Sequence, residues 1–199
     1  GRVYDKTFIL VSLEGDGAQG LGECVAENDP YYSAETNVGA WHIIKDFVAP
    51  LVLGRTFKDP RHLFPALARI RGHNMAKAGL ETALWDLEAR LRTVSLWKFL
   101  GGVRKHIDCC VSIGIQPSID QLIGKIDREV NAGYRRIKIK IKPGWDVDVI
   151  REVRSAFPRI KLMGDANSAY TLDDVEVFKK MDKYNIMMFE QPLHYEDII

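Results

Sequence analysis

From about residue 107 the chain alternates strand-like and helix-like segments, repeating about every 25 residues. Residues 107–114, 136–141, 160–164 and 186–189 are short apolar or alternating runs of the kind that form strands. Between them, Ser118 caps a helix whose Ile119, Leu122, Ile126 and Val130 share one face and which Gly133 closes. Asp146 opens a second helix that stops at Pro158, and Thr171 with Asp174 resembles a capping box for a third. Strands separated by helices at this spacing predict a parallel sheet built from β/α units. Four units make half of an eight-stranded barrel. Half a barrel has two open edges and an uncovered interior, so we expect these 199 residues to be the front part of a longer chain.

The first hundred residues have another rhythm. Strands are expected at 7–14 and 21–26, around a turn marked by Gly15, Asp16, Gly17 and Gly20. A helix should follow Ser33, with Ala40, Ile43, Ile44, Phe47 and Val48 on one face and Pro50 near its end. Another follows Pro60. A third runs from about Asn74 to Arg92, with Leu80, Leu84, Leu87 and Leu91 as its stripe and Ala76, Ala78, Gly79 and Ala83 permitting close packing. This reads as an α+β unit, and the Gly101-Gly102 pair marks its boundary. The domains expected are therefore 1–102 and 103–199, the fold class α/β overall.

The run Arg136–Ile–Lys138–Ile–Lys140–Ile–Lys142 carries the first chemical signal. Strand alternation places Lys138, Lys140 and Lys142 on one face and Ile137, Ile139 and Ile141 on the other. On an antiparallel sheet such a row would simply face solvent. A parallel strand flanked by helices is covered on both faces, so the isoleucines should meet the helices and the lysines the barrel interior, where ammonium groups need partners. Asp165 ends the third strand and Glu190 the fourth, and Lys140, Asp165 and Glu190 follow one another at 25-residue steps. Such groups share one level at the C-terminal ends of adjacent strands, where barrels place their sites. Taken singly, Asp165 could be a turn residue and Glu190 a surface acid. Two carboxylates beside lysines suggest a hard cation, for which Mg²⁺ is suited. A cation next to a substrate carboxylate makes loss of the neighbouring α-proton easier, and a neutral lysine can take that proton.

Composition narrows the rest. With a formal net charge of +1, nothing favours nucleic acid or an acidic membrane surface. No apolar run approaches the ~18 residues that span a bilayer. Cys24, Cys109 and Cys110 form no CxxC pair and are expected to be buried free thiols of a cytoplasmic protein, and the five histidines are too scattered to suggest zinc.

Several stretches together carry a resemblance: Gly22-Glu23-Cys24-Val25; Gly72-His73-Asn74-Met75-Ala76-Lys77 with Leu84-Trp85-Asp86; Lys138-Ile-Lys140 running into Pro143-Gly144-Trp145-Asp146; Asp165-Ala-Asn167 running to Tyr170-Thr171; and Glu190-Gln191-Pro192-Leu193. The chain resembles the o-succinylbenzoate synthase and N-acylamino acid racemase branch of the enolase superfamily, in its muconate-lactonizing subgroup. The resemblance implies an α+β capping domain lacking its first strand, followed by the first half of a TIM-like barrel. It implies that Lys140 is the acid/base lysine and Lys138 its companion, whose charge favours a neutral amine. Asp165 and Glu190 would be two of three Mg²⁺ ligands, and Asn167 a supporting or substrate contact. Residues 28–33, with Tyr31 and Tyr32, match a capping-domain loop that lies over the active site in relatives.

The third ligand, on the fifth strand, and the opposite-face lysine, on the sixth, would lie beyond residue 199. We therefore expect the 199 residues alone to be inactive and to bind Mg²⁺ poorly. The substrate expected is a small carboxylate and the assembly a homo-oligomer. Dehydration giving o-succinylbenzoate and racemisation of N-succinylamino acids both suit these residues. A non-catalytic half barrel completed by a partner chain is the alternative of a different class.

Overall fold

The computed structural model describes residues 4–194. The chain divides into two compact units, Gly1–Val103 and Arg104–Ile199.

The first unit opens with an antiparallel hairpin, β1 (Ile9–Gly15) and β2 (Ala18–Cys24), in register from Ile9↔Cys24 to Gly15↔Ala18. Asp16 and Gly17 both have positive φ, 49° and 81°, as a tight two-residue hairpin turn requires. Gly20 lies inside β2 rather than in the turn. A Cβ on Gly20 would strike the backbone of Ala83 and Leu87, and one on Gly22 the backbone of Gly79 and Ala83, so both glycines exist for close approach to the long helix.

Helix α1 (Asn37–Ile43) is capped not by Ser33 but by Thr36, whose hydroxyl accepts the Gly39 amide at 3.3 Å. It runs through a π-helical turn, Ile44–Val48, into α2 (Ala49–Val52). Pro50 thus does not end the helix. It sits in the first turn of α2, and the widened turn before it relieves the clash a proline ring makes with the preceding turn. A 3₁₀ turn (Pro60–His62) leads to α3 (Leu63–Ala66), and then α4 (Asn74–Leu91) and α5 (Leu96–Phe99) complete the unit.

Helix α4 buries Ala76, Leu80, Ala83, Leu84 and Leu87, while Leu91 emerges at its end. Its first turn has no side-chain cap from His73. Glu35, 40 residues earlier, accepts the amides of Met75 (2.9 Å) and Ala76 (3.1 Å) instead, a charge placed where the helix dipole favours it. Asp86 accepts the Leu21 amide at 2.9 Å, tying β2 to α4.

The second unit is a parallel sheet in the order β3 (Cys110–Ile113), β4 (Arg136–Lys140), β5 (Lys161–Asp165), β6 (Met188–Glu190). Three helices connect the strands: α6 (Ile119–Asn131), α7 (Val147–Ala156) and, after a 3₁₀ turn at Leu172–Asp174, α8 (Val175–Asp182). Ser118 caps α6, accepting the Gln121 amide at 3.2 Å, and the Thr171–Asp174 capping box is present. Ile137, Ile139 and Ile141 are buried with Leu122, Ile126, Val153, Leu162 and Met181 in one core, so the isoleucine face of β4 does meet the helices. The sheet with its crossover helices is an α/β arrangement forming part of a barrel. Strand β3 begins three residues later than the sequence suggests.

Two expectations change. Only Cys24 is buried; Cys109 and Cys110 are exposed, and all three are free thiols. Lys142 does not continue the lysine row within the strand. β4 ends at Lys140, and Lys142 pairs with Trp145 across a tight turn in which Gly144 has φ 80°. No helix among the described residues is long and apolar enough to cross a membrane.

Candidate active site

Parallel pairing brings Lys140, Asp165 and Glu190 into direct register: Lys140↔Asp165 and Asp165↔Glu190 are Cα partners at the last positions of β4, β5 and β6. Residues in register on neighbouring strands project from the same face, so the 25-residue spacing becomes a cluster of side chains.

Asp165 is its centre. It is 1% exposed. Its Oδ2 accepts from Lys140 Nζ at 2.7 Å and lies 3.0 Å from Lys138 Nζ, while its Oδ1 accepts the Asn167 amide at 3.1 Å. Lys138 also donates to Glu190 Oε2 at 2.9 Å. Lys140 Nζ closes the network with a bond to Asn167 Oδ1. Five of the residues expected at the site thus meet: Lys138, Lys140, Asp165, Asn167 and Glu190. Tyr31 and Tyr32 stand on an exposed turn of the first unit, 91% and 71% accessible.

The charges account for the protonation states. Burial pushes the Asp165 carboxyl up, but the bonds from Lys140 and Lys138 outweigh it and hold it below the usual carboxylate range. The Glu190 hydrogen bond, opposed by burial and aided by Asp165, holds the Lys138 ammonium above its ordinary value. In this arrangement Lys138 is a fixed cation beside Lys140.

The loops leaving the strands are strained where they leave the carboxylates. Asn167, Ser168 and Gln191 have φ of 43°, 61° and 46°, a region that side chains other than glycine's rarely adopt. Bonds between the loops sustain it: Ser168 N donates to Gln191 O at 2.7 Å and Tyr170 N to Pro192 O at 3.1 Å. Tyr170, 3% exposed, also donates its hydroxyl to Asp146 Oδ2 at 3.1 Å, linking the loop after β5 to the start of α7. Sequence reasoning missed this contact. Tyr170 lies in a quoted motif, but nothing local pairs it with an acid 24 residues away.

Two carboxylates at one level on adjacent strands offer hard oxygen donors of the kind Mg²⁺ prefers. Asp165 and Glu190 already bridge one ammonium, Lys138, so their oxygens converge on a cationic position. The donor set fits a hard divalent cation in type and supplies part of its coordination. Among the described residues no group of three His, Cys, Asp or Glu is arranged to hold a metal.

Comparison with known proteins agrees with this geometry. Residues 1–101 match the Mandelate racemase / muconate lactonizing enzyme, N-terminal domain, and residues 121–199 match the Enolase C-terminal domain-like family. The chain is 50% identical over its whole length to an o-succinylbenzoate synthase of Geobacillus kaustophilus, covering 53% of that protein. It is 46% identical over 98% of its length to an N-succinylamino acid racemase of Thermus thermophilus, again covering 53%. A solved structure of an enolase-superfamily member from Listeria innocua superposes with a TM-score of 0.93 at 36% identity, over 99% of this chain and 54% of that one. The chain spans about half the length of the curated relatives it matches. With both domain families matched in order and the lysine–carboxylate cluster in register, the chain belongs to the enolase superfamily.

Proposed function

We propose that the protein is a Mg²⁺-dependent o-succinylbenzoate synthase, dehydrating 2-succinyl-6-hydroxy-2,4-cyclohexadiene-1-carboxylate in cytoplasmic menaquinone synthesis, as a homo-oligomer. The observation that carries this reading is the register of Lys140 with Asp165 and Glu190 at the strand ends. The names of relatives support the choice of reaction: three synthases are 50%, 50% and 44% identical to this chain.

Asp165 and Glu190 would hold the Mg²⁺, whose charge beside the substrate carboxylate lowers the energy of the state in which the α-proton has left. Lys140 takes that proton on Nζ. The electron pair of the C–H bond becomes the new double bond as the hydroxyl departs, and Lys140 returns its proton to the leaving hydroxide, releasing water. Lys138 keeps its positive charge on Glu190 and Asp165. Asn167 orients the Lys140 amine through its side-chain oxygen.

N-succinylamino acid racemisation is the second reading, favoured by the relative at 46% identity. It uses the same first step, with reprotonation from the opposite face. Incubating the complete protein with each substrate, with Mg²⁺ and with excess chelator, tests both. Metal-dependent appearance of the aromatic product supports the first reading; racemisation without dehydration transfers the assignment to the second. Turnover of neither rejects both.

A further inference from the structure

Lys138 and Lys140 have carboxylate partners, but Lys142 is exposed and no hydrogen bond or ion pair among the described residues holds its ammonium. Its backbone is fixed all the same. Lys142 N donates to Trp145 O at 3.2 Å, its carbonyl accepts the Trp145 amide at 2.8 Å, and Pro143 and Gly144 form the tight turn between them. A cavity of about 370 Å³ opens beside it, with Ile115 and Ala169 on its apolar walls and Lys140, Lys142 and Asn167 as its polar groups. That volume suits a small ligand. No acid lines the cavity, so its charge is positive.

We propose that Lys142 is a specificity-determining residue that receives the second, distal carboxylate of the substrate. The inference rests on Lys140 being the base of the proposed reaction. Lys140 and Lys142 line the same cavity, and two residues of chain separate their Cα atoms by at most about 7 Å. A succinyl group attached at or beside the reacting carbon places its terminal carboxylate at about that remove. A held backbone with a free ammonium is what a receptor for a flexible chain end needs: the anchor point is set in advance and the long side chain adjusts.

The test compares N-succinyl and N-acetyl derivatives of one amino acid in the complete protein, by exchange of the α-proton for deuterium. The readout is the ratio of kcat/KM for the succinyl substrate to that for the acetyl one. Lys142→Gln should lower this ratio roughly tenfold, through KM for the succinyl substrate, as expected for losing one charge-assisted contact. Lys142→Glu should lower it further, because a like charge then faces the carboxylate. A ratio equal to wild type in both variants overturns the role of Lys142 and leaves the proposed reaction standing. Wild-type protein that exchanges neither substrate and gives no dehydration product removes the reading on which the role depends.

Discussion

Arg154 offers the sharpest structural test, because one side chain sets the lower ends of two strands. Its guanidinium donates to Tyr184 O (2.8 Å), Ile160 O (2.9 Å) and Asn185 O (3.0 Å), with longer bonds to the carbonyls of Phe157 and Pro158 (both 3.2 Å). Ile160 immediately precedes β5, and Tyr184 and Asn185 lie just before β6, so Arg154 ties α7 to the entrances of the strands that end in Asp165 and Glu190. Arg154→Met keeps the apolar stem and removes every donor. Three short bonds at about 1 kcal/mol net apiece give a loss of about 3 kcal/mol. Arg154→Lys, able to reach one or two of the carbonyls, should recover about 1 kcal/mol of it. Urea unfolding of wild type and both variants, with the denaturant dependence unchanged, measures this. A loss below about 0.5 kcal/mol in Arg154→Met, the range of an ordinary surface substitution, would refute the reasoning.

Other consequences follow from contacts at the two units' cores and at the strand ends. Gly22→Ala drives a methyl group to 2.5 Å from Thr82 Oγ1 and 2.6 Å from Ala83 N, so it should destabilise by about 3 kcal/mol, read as a lowered unfolding midpoint; full stability would mean that β2 and α4 do not meet as described. Burial, aided by the charge and hydrogen bond of Asp146, pushes the Tyr170 phenol well above its ordinary value. Its stabilising contribution is therefore complete below about pH 10, the unfolded phenol's pKa, and fades as pH rises beyond it. The stability gap between wild type and Tyr170→Phe, about 1 kcal/mol at pH 8, should narrow at high pH, and a gap that widens contradicts the assignment. Asp165→Asn and Glu190→Gln should each weaken Mg²⁺ binding by at least about tenfold in calorimetric titration of the complete protein; wild-type affinity in both would exclude them as ligands.

The features legible in the sequence were those written at short range. Strand alternation around Ile137 and Ile139 and the equal steps from Lys140 to Asp165 to Glu190 depend only on the pleat and on the β/α repeat, and both appear in the fold. The small residues of α4 signal its close packing, whereas Gly20 reads as a turn residue and instead makes room for that helix, because the sequence does not say which partner a glycine accommodates. Ser33 and Thr36 are both cap residues by type, and it is the Thr36 hydroxyl that accepts the Gly39 amide. Pro50 passed through a helix because the preceding turn widened. The Glu35 cap on α4, the Arg154 bonds to Tyr184 and Asn185 and the Tyr170–Asp146 bond join residues 24 to 41 positions apart, where periodicity carries no information. Lys142 parted from its row because Pro143 and Gly144 turn the chain directly after it.

The central claim is that Lys140 takes the α-proton. In the complete protein with Mg²⁺ and substrate in deuterated buffer, Lys140→Ala should lose wild-type α-proton exchange by roughly 10²–10⁴-fold or more, while its fold by circular dichroism is retained. Exchange at the wild-type rate in that variant would contradict the account.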